Sequence, residues 1–268
     1  MGSLSGKAIV VTGASQGLGA VMARTLAAEG ADLLLAARNQ DKLDEVIRSL
    51  PGEGKRFAQH CDVTAANDRR ALAARALTEF HRIDVLVNNA GVEELGFFAE
   101  KDPATMERII ATNLLAPMLL TREVLPGMLE RKSGHVVNIA SLAGRTGMPY
   151  GAAYSASKSG LAEWSISLAA ELRNLGVAVS VICPGFVDET GMFSRKQVAP
   201  PKSIGASHPG DVARALLRVL NTRHIEVVVN PKPVRLLMAL KALWPEGALA
   251  VGRRLGLVEF LRDISSKT

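Results

Sequence analysis

Short apolar runs alternate with longer amphipathic segments along most of this chain, and this alternation restricts its fold more than any other feature. The clearest apolar runs cover residues 8–13, 32–37, 84–91, 134–141, 177–185 and 225–230, and a less distinct one covers 55–62. Each has the length of a strand, whereas the segments between them carry apolar residues every three or four positions. Apolar strands that alternate with helices form a parallel sheet covered on both faces. We therefore predict an α/β fold, doubly wound, with a seven-stranded parallel sheet.

The composition favours one domain in a reducing compartment. With 268 residues, 48% of them hydrophobic, the chain can bury one large core. Cys61 and Cys183 form no CxxC pair, and the histidines lack metal-ligand spacing, so we expect neither a disulfide framework nor a metal site. The N-terminus lacks the pattern of a signal peptide, which indicates a cytoplasmic protein. The net charge of +6 forms no basic stripe with interleaved aromatics, so nucleic acid is not an expected partner.

A glycine-rich turn follows the first apolar run. In "VTGASQGLGAVMA", Gly13, Gly17 and Gly19 lie between the first predicted strand and the first predicted helix. Glycines let the backbone approach a pyrophosphate, and the N-terminus of the next helix offers unpaired N–H groups to the anion. The spacing is GxxxGxG, which departs from the more familiar GxGxxG. It indicates a nucleotide cradle, and an ordinary tight turn is the alternative from this motif alone.

Both tyrosines of the chain lie in "PYGAAYSASKSG", and a lysine follows them. A phenol with a pKa near 10 is a poor acid or base at neutral pH unless a cation stabilises its anion. Tyr154 and Lys158 are four residues apart and therefore neighbours on one helix face, whereas Tyr150 is eight residues from Lys158. The spacing selects Tyr154 as the candidate acid/base, and a solvated helix face is the alternative for the pair alone. Tyr150 is expected to line the substrate cleft or its rim.

Six motifs in order resemble those of the short-chain dehydrogenase/reductase family. They are "TGASQGLG" (12–19), "NNAG" (88–91), Asn113 in "ATNLLAP", Ser141 in "NIASLAG", the pair Tyr154 and Lys158, and the turn Pro184-Gly185. Together they cover residues 4 to about 230. The resemblance implies a single Rossmann-type domain over residues 1–230 that binds the dinucleotide and performs catalysis. It also implies a small-molecule substrate and assembly as a homodimer or homotetramer.

The resemblance assigns catalytic roles to four residues. Lys158 would stabilise the Tyr154 phenolate and hold the nicotinamide ribose, so that Tyr154 exchanges a proton with the substrate oxygen. Ser141, at the end of a predicted strand, would donate a hydrogen bond to the same oxygen. Asn113 would organise a water that links Lys158 to solvent, and a helix-bending or capping asparagine is the alternative.

The resemblance also assigns cofactor contacts to the loops that follow the strands. The expected residues are Gly13, Ser15, Gln16, Gly17, Leu18, Gly19, Arg38, Asn39, Asp62, Val63, Asn89, Ala90, Gly91, Tyr154, Lys158, Pro184, Gly185, Val187 and Thr190. An aspartate after a strand, such as Asp62, would also suit an ordinary helix cap. Thr190 stands one residue later than the threonine of the family pattern, after Asp188 and Glu189, so this sequence departs from the pattern here.

The identity of the cofactor depends on the end of the second strand. Ala37 stands where an aspartate would bind the ribose 2′-hydroxyl of NAD, and the next residue, Arg38, can pair with the 2′-phosphate of NADP. We therefore expect NADP(H) to be preferred over NAD(H). Gln16 lacks the basic side chain that some NADP-preferring relatives carry in the glycine turn, so a moderate preference is expected.

The expected reaction is hydride transfer between NADP(H) and an apolar carbonyl compound or secondary alcohol. Apolar candidates for the cleft, each of which core packing would also explain, are Phe97, Phe98, Leu142, Met148, Tyr150, Met192 and Phe193. Glu93 and Glu94 are expected in a solvated loop, and a role as specificity determinants is the alternative. One alternative is a non-catalytic NADP-binding sensor, which would have little reason to keep the catalytic residues together. A ketoacyl-thioester reductase is less expected, because "IEVVVN" runs into "PKPVRLLM" without a glycine-rich ending.

The tail from residue 231 to 268 is apolar and basic. Seven basic and three acidic residues give it about +4 of the chain's net charge of +6. Its apolar runs are too short to span a bilayer, for which ~20 residues are needed. Two helices are predicted, over "VRLLMALKALW" and "LAVGRRLGLVEFLRD", joined at residues 245–247. We expect them to form the substrate entrance by packing on the domain or on a second subunit, with peripheral contact to anionic lipid as a further alternative.

Overall fold

The computed structural model describes residues 2–188 and 205–266, and it contains one sheet of seven strands. The strands are β1 (Ala8–Thr12), β2 (Asp32–Ala37), β3 (Arg56–His60), β4 (Val85–Asn88), β5 (Gly134–Ile139), β6 (Val177–Pro184) and β7 (Glu226–Val229). Their order across the sheet is β3-β2-β1-β4-β5-β6-β7, and every adjacent pair is parallel. The predicted doubly wound α/β fold is confirmed, including the less distinct strand within 55–62.

Eight helices connect the strands or flank the loops at their carboxyl ends in the described part of the domain. They are α1 (Gly17–Ala28), α2 (Gln40–Arg48), α3 (Ala66–Phe80), α4 (Pro103–Ile110), α5 (Ala116–Glu130), α6 (Ala143–Thr146), α7 (Ala152–Leu172) and α8 (Pro209–Thr222). A π-helical turn, Ala111–Leu115, joins α4 to α5, and a 3₁₀ turn covers Phe98–Glu100. Asp102 caps α4 by accepting from Ala104 N at 3.2 Å, and Pro103 occupies the first helical position.

Each face of the sheet carries its own hydrophobic core, because successive strand residues point to opposite faces. In β1, Ile9 and Val11 face the core that α1, α2 and α8 cover, whereas Ala8 and Val10 face the core that α3, α5 and α7 cover. Both faces of the inner strands are therefore buried, which explains why their sequences are nearly continuously apolar. The loops at the carboxyl ends of the strands remain available for a site.

The helical stretch Pro103–Glu130 is 28 residues long and apolar enough by composition to cross a membrane. It packs, however, as part of the domain: α4 contacts α7, and α5 contacts α3 and β5. Leu120 and Met128 on its inner side are fully buried in the core of the sheet. We therefore interpret it as a core helix of the α/β fold.

The tail forms three helices, so the prediction of two is wrong. They are α9 (Arg235–Leu243), α10 (Pro245–Arg254) and α11 (Leu257–Ser265). The first break lies at Trp244, and residues 245–247 already belong to α10. The second predicted helix is divided before Leu257, because Gly256 adopts a left-handed conformation with φ 73° that ends the helical path.

Candidate active site

The candidate site is a cavity of about 680 Å³ at the carboxyl ends of the strands. It lies where β1 separates its neighbours β2 and β4, the point at which the strand order reverses and where α/β sheets bind ligands. Predicted residues that line it are Gly13, Ser15, Gln16, Gly17, Leu18, Gly19, Arg38, Asn39, Asp62, Val63, Asn89, Ala90, Gly91, Ser141, Tyr154, Lys158, Pro184, Gly185 and Val187. Of the predicted catalytic and cofactor-binding residues that the structure describes, only Asn113 lies outside this lining.

The glycine turn has the close approaches that only glycine allows. Gly13 has φ 65°, and a Cβ there would lie 2.8 Å from Ala90 Cα. A Cβ on Gly19 would lie 2.2 Å from the Gly13 carbonyl oxygen. Helix α1 begins at Gly17 without a side-chain cap and without an acidic residue in its first turn. Its N–H groups and positive dipole end are therefore open to the cavity, which fits the pyrophosphate of a dinucleotide.

Thr12 and Asn89 fasten the ends of β1 and β4 to each other. Thr12 Oγ1 accepts hydrogen bonds from Asn89 N and Ala90 N at 3.0 and 3.1 Å. Asn89 Nδ2 donates to the carbonyls of Thr12 and Gly13 at 3.0 and 3.1 Å. The Asn89 side chain thus stabilises the conformation of the glycine turn. The role of Thr12 was not among the sequence predictions, although this threonine begins the glycine motif.

Arg38 and Asp62 lie at the far end of the cavity, after β2 and β3. Hydrogen bonds from Thr64 hold the pKa of Asp62 below its usual value, and the Arg38 charge contributes to this shift. Asp62 does not cap α3, whose N-cap is Ala65, so the helix-cap alternative is wrong. Asn39 caps α2 by accepting from Lys42 N at 2.9 Å, and Arg38 is left exposed at the cavity.

Tyr154 and Lys158 occupy one buried face of α7, one turn apart, as their spacing predicts. Lys158 Nζ donates to the Ile139 carbonyl at 2.8 Å and lies 6.0 Å from the centroid of the Tyr154 ring. Burial lowers the pKa of Lys158 to about 8, against the opposing influence of nearby Cys183 and Glu93. Burial raises the pKa of Tyr154, and the Glu93 charge adds to that effect, while a hydrogen bond with Ser141 opposes it.

Ser141 follows β5 and faces the same space as Tyr154. Its Oγ accepts from Ala143 N at 3.1 Å and makes a long contact of 3.5 Å with the Pro184 carbonyl. Both residues line the cavity, and the influence of Ser141 on Tyr154 opposes the burial that raises the pKa of Tyr154. Ser141 follows β5 and Tyr154 lies in α7, so the packing of α7 against the sheet brings the two residues together.

Asn113 is fully buried in the π-helical turn between α4 and α5. Its Oδ1 accepts from Val92 N at 2.8 Å, and its Nδ2 donates to the Val92 carbonyl at 2.8 Å and to Ser157 Oγ at 3.0 Å. Ser157 in turn donates to the Tyr154 carbonyl at 2.7 Å. Asn113 thus fixes the loop after β4 to the helix that carries Tyr154. Sequence reasoning missed Ser157, although its position three residues after Tyr154 places it on the same helix face.

The loop after β4 is not solvated at Glu93, so that expectation is wrong there. Glu93 lines the cavity with one carboxylate oxygen buried. Glu94 forms ion pairs with Lys101 and Arg108 at 3.2 and 3.1 Å. Further lining residues that the sequence analysis did not select are Ala37, Cys61, Val92, Glu93, Arg108, Thr112, Ile139 and Ala140. Thr190, Met192 and Phe193 lie outside the described residues.

Helix α11 packs beside Tyr154 and forms a small apolar cluster with it. Its members, buried or partly buried, are Leu95, Ile109, Met148, Tyr150, Tyr154, Phe186, Leu257, Phe260, Leu261 and Ile264. Two of the predicted cleft residues, Met148 and Tyr150, belong to this cluster, and neither lines the cavity. Phe97 and Phe98 are 59% and 60% exposed and do not line the cavity, and Leu142 is buried without lining it. The tail therefore packs against the region around Tyr154.

Comparison with known sequences gives one consistent family. The family described as short chain dehydrogenase matches residues 7–200. A ketoacyl reductase, HetN, of Nostoc sp. is 41% identical over 266 residues, which cover 97% of this chain and 93% of the relative. Dehydrogenase/reductase SDR family member 7B of Danio rerio is 34% identical over 258 residues, which cover 91% of this chain and 83% of the relative.

Two solved structures share this architecture. A metagenomic short-chain oxidoreductase in complex with NADP is 39% identical with a TM-score of 0.73, covering 86% of this chain and 100% of that chain. A variant of actinorhodin polyketide ketoreductase with NADPH is 30% identical with a TM-score of 0.78, covering 85% of this chain and 97% of that chain. The likeness extends across nearly all of both neighbours.

Proposed function

The chain belongs to the short-chain dehydrogenase/reductase family, and we propose that it transfers a hydride between NADP(H) and an apolar carbonyl compound or secondary alcohol. Family membership makes the protein an NAD(P)-dependent oxidoreductase. The observation that carries the finer proposal is the convergence of Ser141, Tyr154 and Lys158 on the cavity that also holds the glycine turn. A sensor without activity would gain nothing from that convergence.

Tyr154 is the proposed general acid in carbonyl reduction. Bound NADPH supplies the hydride that the carbonyl carbon accepts. Tyr154 donates its hydroxyl proton to the carbonyl oxygen as negative charge develops there. Lys158, whose pKa is about 8, keeps most of its positive charge at neutral pH and stabilises the phenolate that remains. In alcohol oxidation the Tyr154 phenolate accepts the proton instead.

Ser141 is proposed to polarise and position the substrate oxygen. Its Oγ already accepts a hydrogen bond from Ala143 N, while its contact with the Pro184 carbonyl is long. The hydroxyl proton can therefore turn toward an oxygen that enters the cavity next to Tyr154. A donor held in place before the reaction stabilises developing charge without reorganisation.

Asn113 is proposed to act as a positioning residue. Its three hydrogen bonds to Val92 and Ser157 hold the loop after β4 and the start of α7 in register. A Cβ on Gly91 would lie 3.3 Å from Asn113 Oδ1 and 3.4 Å from Lys158 Nζ, so these groups adjoin one narrow space. A water that links Lys158 to solvent would have to lie in this space, and that role stays a prediction.

NADP(H) is the proposed cofactor. The exposed Arg38 follows β2 at the cavity, and Ala37 offers no carboxylate that would repel a 2′-phosphate. The two structural neighbours are complexes with NADP and NADPH, which supports the same assignment here.

The substrate is proposed to be apolar because of the cluster beside Tyr154. Met148, Tyr150 and the inner face of α11 surround the tyrosine with apolar and aromatic groups. The tail would then form one wall of the substrate entrance, as predicted from its sequence. Glu93 contributes a negative charge to this region, and it is proposed to set the electrostatics of Tyr154.

A ketoacyl-thioester reductase is the second candidate function. The HetN relative and a further relative from Streptomyces violaceoruber, 41% identical over 69% of both chains, are named ketoacyl reductases. A β-ketoacyl thioester is also an apolar carbonyl compound, so the same catalytic residues would serve it. The two candidate functions differ in whether the substrate entrance accepts a ketoacyl group that is bound to a carrier.

The test is NADPH oxidation by the purified protein with steroids, quinones, long-chain aldehydes, ketoesters and a β-ketoacyl thioester. The proposal expects turnover of at least one apolar carbonyl class, with NADPH more efficient than NADH. Preference for the thioester over the matched ketoester would favour the second candidate. NADPH binding without turnover of any compound would favour the sensor and contradict the proposed function.

A further inference from the structure

Helix α9 exposes apolar side chains where a surface helix normally exposes polar ones. Leu236 and Leu243 are 80% and 87% exposed, and the residues between them on that face are alanines. The lysine of this helix points toward the domain instead, because Lys241 Nζ donates to the Arg145 carbonyl at 3.0 Å. Helix α9 therefore exposes leucines and alanines to solvent, while its lysine is held against the domain.

Helix α10, which packs on α9, continues the apolar surface and adds basic charge to it. Trp244, between the two helices, is 60% exposed, and Leu249 is 58% exposed. Arg253 and Arg254 are exposed one turn beyond Leu249. We call these residues, with those of α9, the tail surface: Arg235, Leu236, Leu243, Trp244, Leu249, Arg253 and Arg254.

The tail surface carries positive charge that is not neutralised by the part of the chain that the structure describes. In residues 2–188 and 205–266, none of its three arginines takes part in an ion pair. The one exposed carboxylate on the same two helices is Glu246, so the positive charge is in excess. An exposed apolar patch of this kind marks a contact with a partner or a membrane.

We propose that the tail surface rests on the headgroup region of an anionic lipid bilayer. Its leucines would leave water for the acyl boundary, and Trp244 has the amphipathic ring that suits this interface. The arginines would be attracted to anionic headgroups. With 9 and 10 residues, α9 and α10 are each only about 15 Å long, half of the ~30 Å needed to span a bilayer. The helices therefore lie on the surface.

A second copy of the chain suits the tail surface less well. A two-fold dimer through this surface would bring together two patches that each carry an excess of positive charge. Like charges brought together in an interface oppose association. An anionic lipid surface complements both the apolar and the basic part of the patch.

The tail surface adjoins the proposed substrate entrance. Helix α9 contacts α6, which follows Ser141, and α11 packs beside Tyr154. An enzyme bound in this way would meet apolar substrates that are dissolved in lipid. That consequence rests on the proposed function, whereas lipid binding itself does not require catalysis and is measured without substrate.

The test is co-sedimentation of the full chain with vesicles of phosphatidylcholine alone or with one quarter phosphatidylglycerol. We expect binding to the anionic vesicles that weakens at high salt, and much less binding to the neutral ones. The double variants Leu236→Ser/Leu243→Ser and Arg253→Glu/Arg254→Glu should each lower the partition constant at least about tenfold.

Two controls match these variants. Leu77→Ser/Leu175→Ser removes two leucines that are 47% and 48% exposed elsewhere on the domain, and Arg214→Glu/Arg218→Glu makes the same charge change on α8. Both should bind vesicles like the wild type. The proposal is overturned if the wild type does not sediment, if controls and tail variants lose binding equally, or if the tail variants dissociate an oligomer in light scattering while vesicle binding is unchanged.

Discussion

Arg262, in the last helix of the chain, donates a hydrogen bond from Nε to the Tyr150 hydroxyl at 2.9 Å, across 112 residues of sequence. Tyr150 has a left-handed backbone conformation, with φ 61°, and its carbonyl accepts from Gly96 N at 2.9 Å. Tyr150, which lies four residues before Tyr154, therefore connects α11 to the loop after β4. This contact joins the tail to the region that carries the proposed chemistry.

Loss of the Arg262–Tyr150 contact should loosen the substrate entrance. Because Arg262 is exposed, a modest effect is expected: Arg262→Met should raise KM for apolar substrates roughly threefold to tenfold and leave the Kd of NADPH unchanged. Tyr150→Phe should raise this KM to a similar extent, and the double variant should have a KM no higher than that of either single variant. Arg173→Met, an exposed arginine at the end of α7, is the control. Additive effects of the two substitutions would show that they act through different contacts.

Glu93 should control the pH dependence of catalysis. Burial raises the pKa of Tyr154, and the Glu93 charge raises it further, so Glu93→Gln should lower that pKa. Alcohol oxidation needs the phenolate, and its rate rises as pH passes through this pKa. The rising limb should therefore move to lower pH. Glu94→Gln, whose carboxylate pairs with Lys101 and Arg108, should not move it. A shift to higher pH, or equal shifts in both variants, would contradict the assignment.

Arg38 should determine the preference for NADPH. Arg38→Leu removes the cation that is proposed to pair with the 2′-phosphate, so KM for NADPH should rise roughly tenfold or more. KM for NADH, which lacks that phosphate, should change little. Arg48→Leu removes an exposed arginine from the end of α2 and serves as the control. An equal rise of KM for both cofactors would indicate that Arg38 has a structural role instead.

His135 should make the folded state sensitive to acid. It is buried with Nε2 2.8 Å from Ser180 Oγ, and burial, assisted by the Arg223 charge, lowers its pKa from 6.5 to about 4. The unfolded chain therefore takes up this proton first as pH falls, and stability is lost between about pH 6.5 and 4. The loss amounts to about 3 kcal/mol in the free energy of unfolding. Urea denaturation across this range should show a flatter pH dependence for His135→Gln than for the wild type. Parallel curves would rule out this contribution.

The parts of the fold that local sequence determines could be predicted. The apolar runs predict the seven strands because both faces of each inner strand are buried. The spacing of Tyr154 and Lys158 places them on one face of α7 because helix geometry is the same everywhere. The glycine turn was predicted because close backbone approach requires glycine at Gly13 and Gly19.

The parts of the fold and the site that depend on distant contacts could not be predicted from the sequence. Glu93 is half-buried because α7 and Tyr154 pack against its loop, and a local sequence of charged residues does not reveal that packing. Asn113 binds both Val92 and Ser157. It lies in a π-helical turn that the sequence of this segment does not predict. The division of the tail at Gly256 depends on its left-handed conformation, which a glycine permits and does not require.

The central claim is that the Tyr154 hydroxyl is the proton donor and acceptor, and Tyr154→Phe tests it most directly. The substitution removes only the hydroxyl, and the ring keeps its place in the cluster with Leu95, Met148, Leu261 and Ile264. The measurement is kcat for the best carbonyl substrate together with the Kd of NADPH, for the variant and the wild type. The account predicts that kcat falls by about a few hundred-fold or more while the Kd stays within about twofold. A kcat within about tenfold of the wild type, at unchanged cofactor affinity, would contradict it.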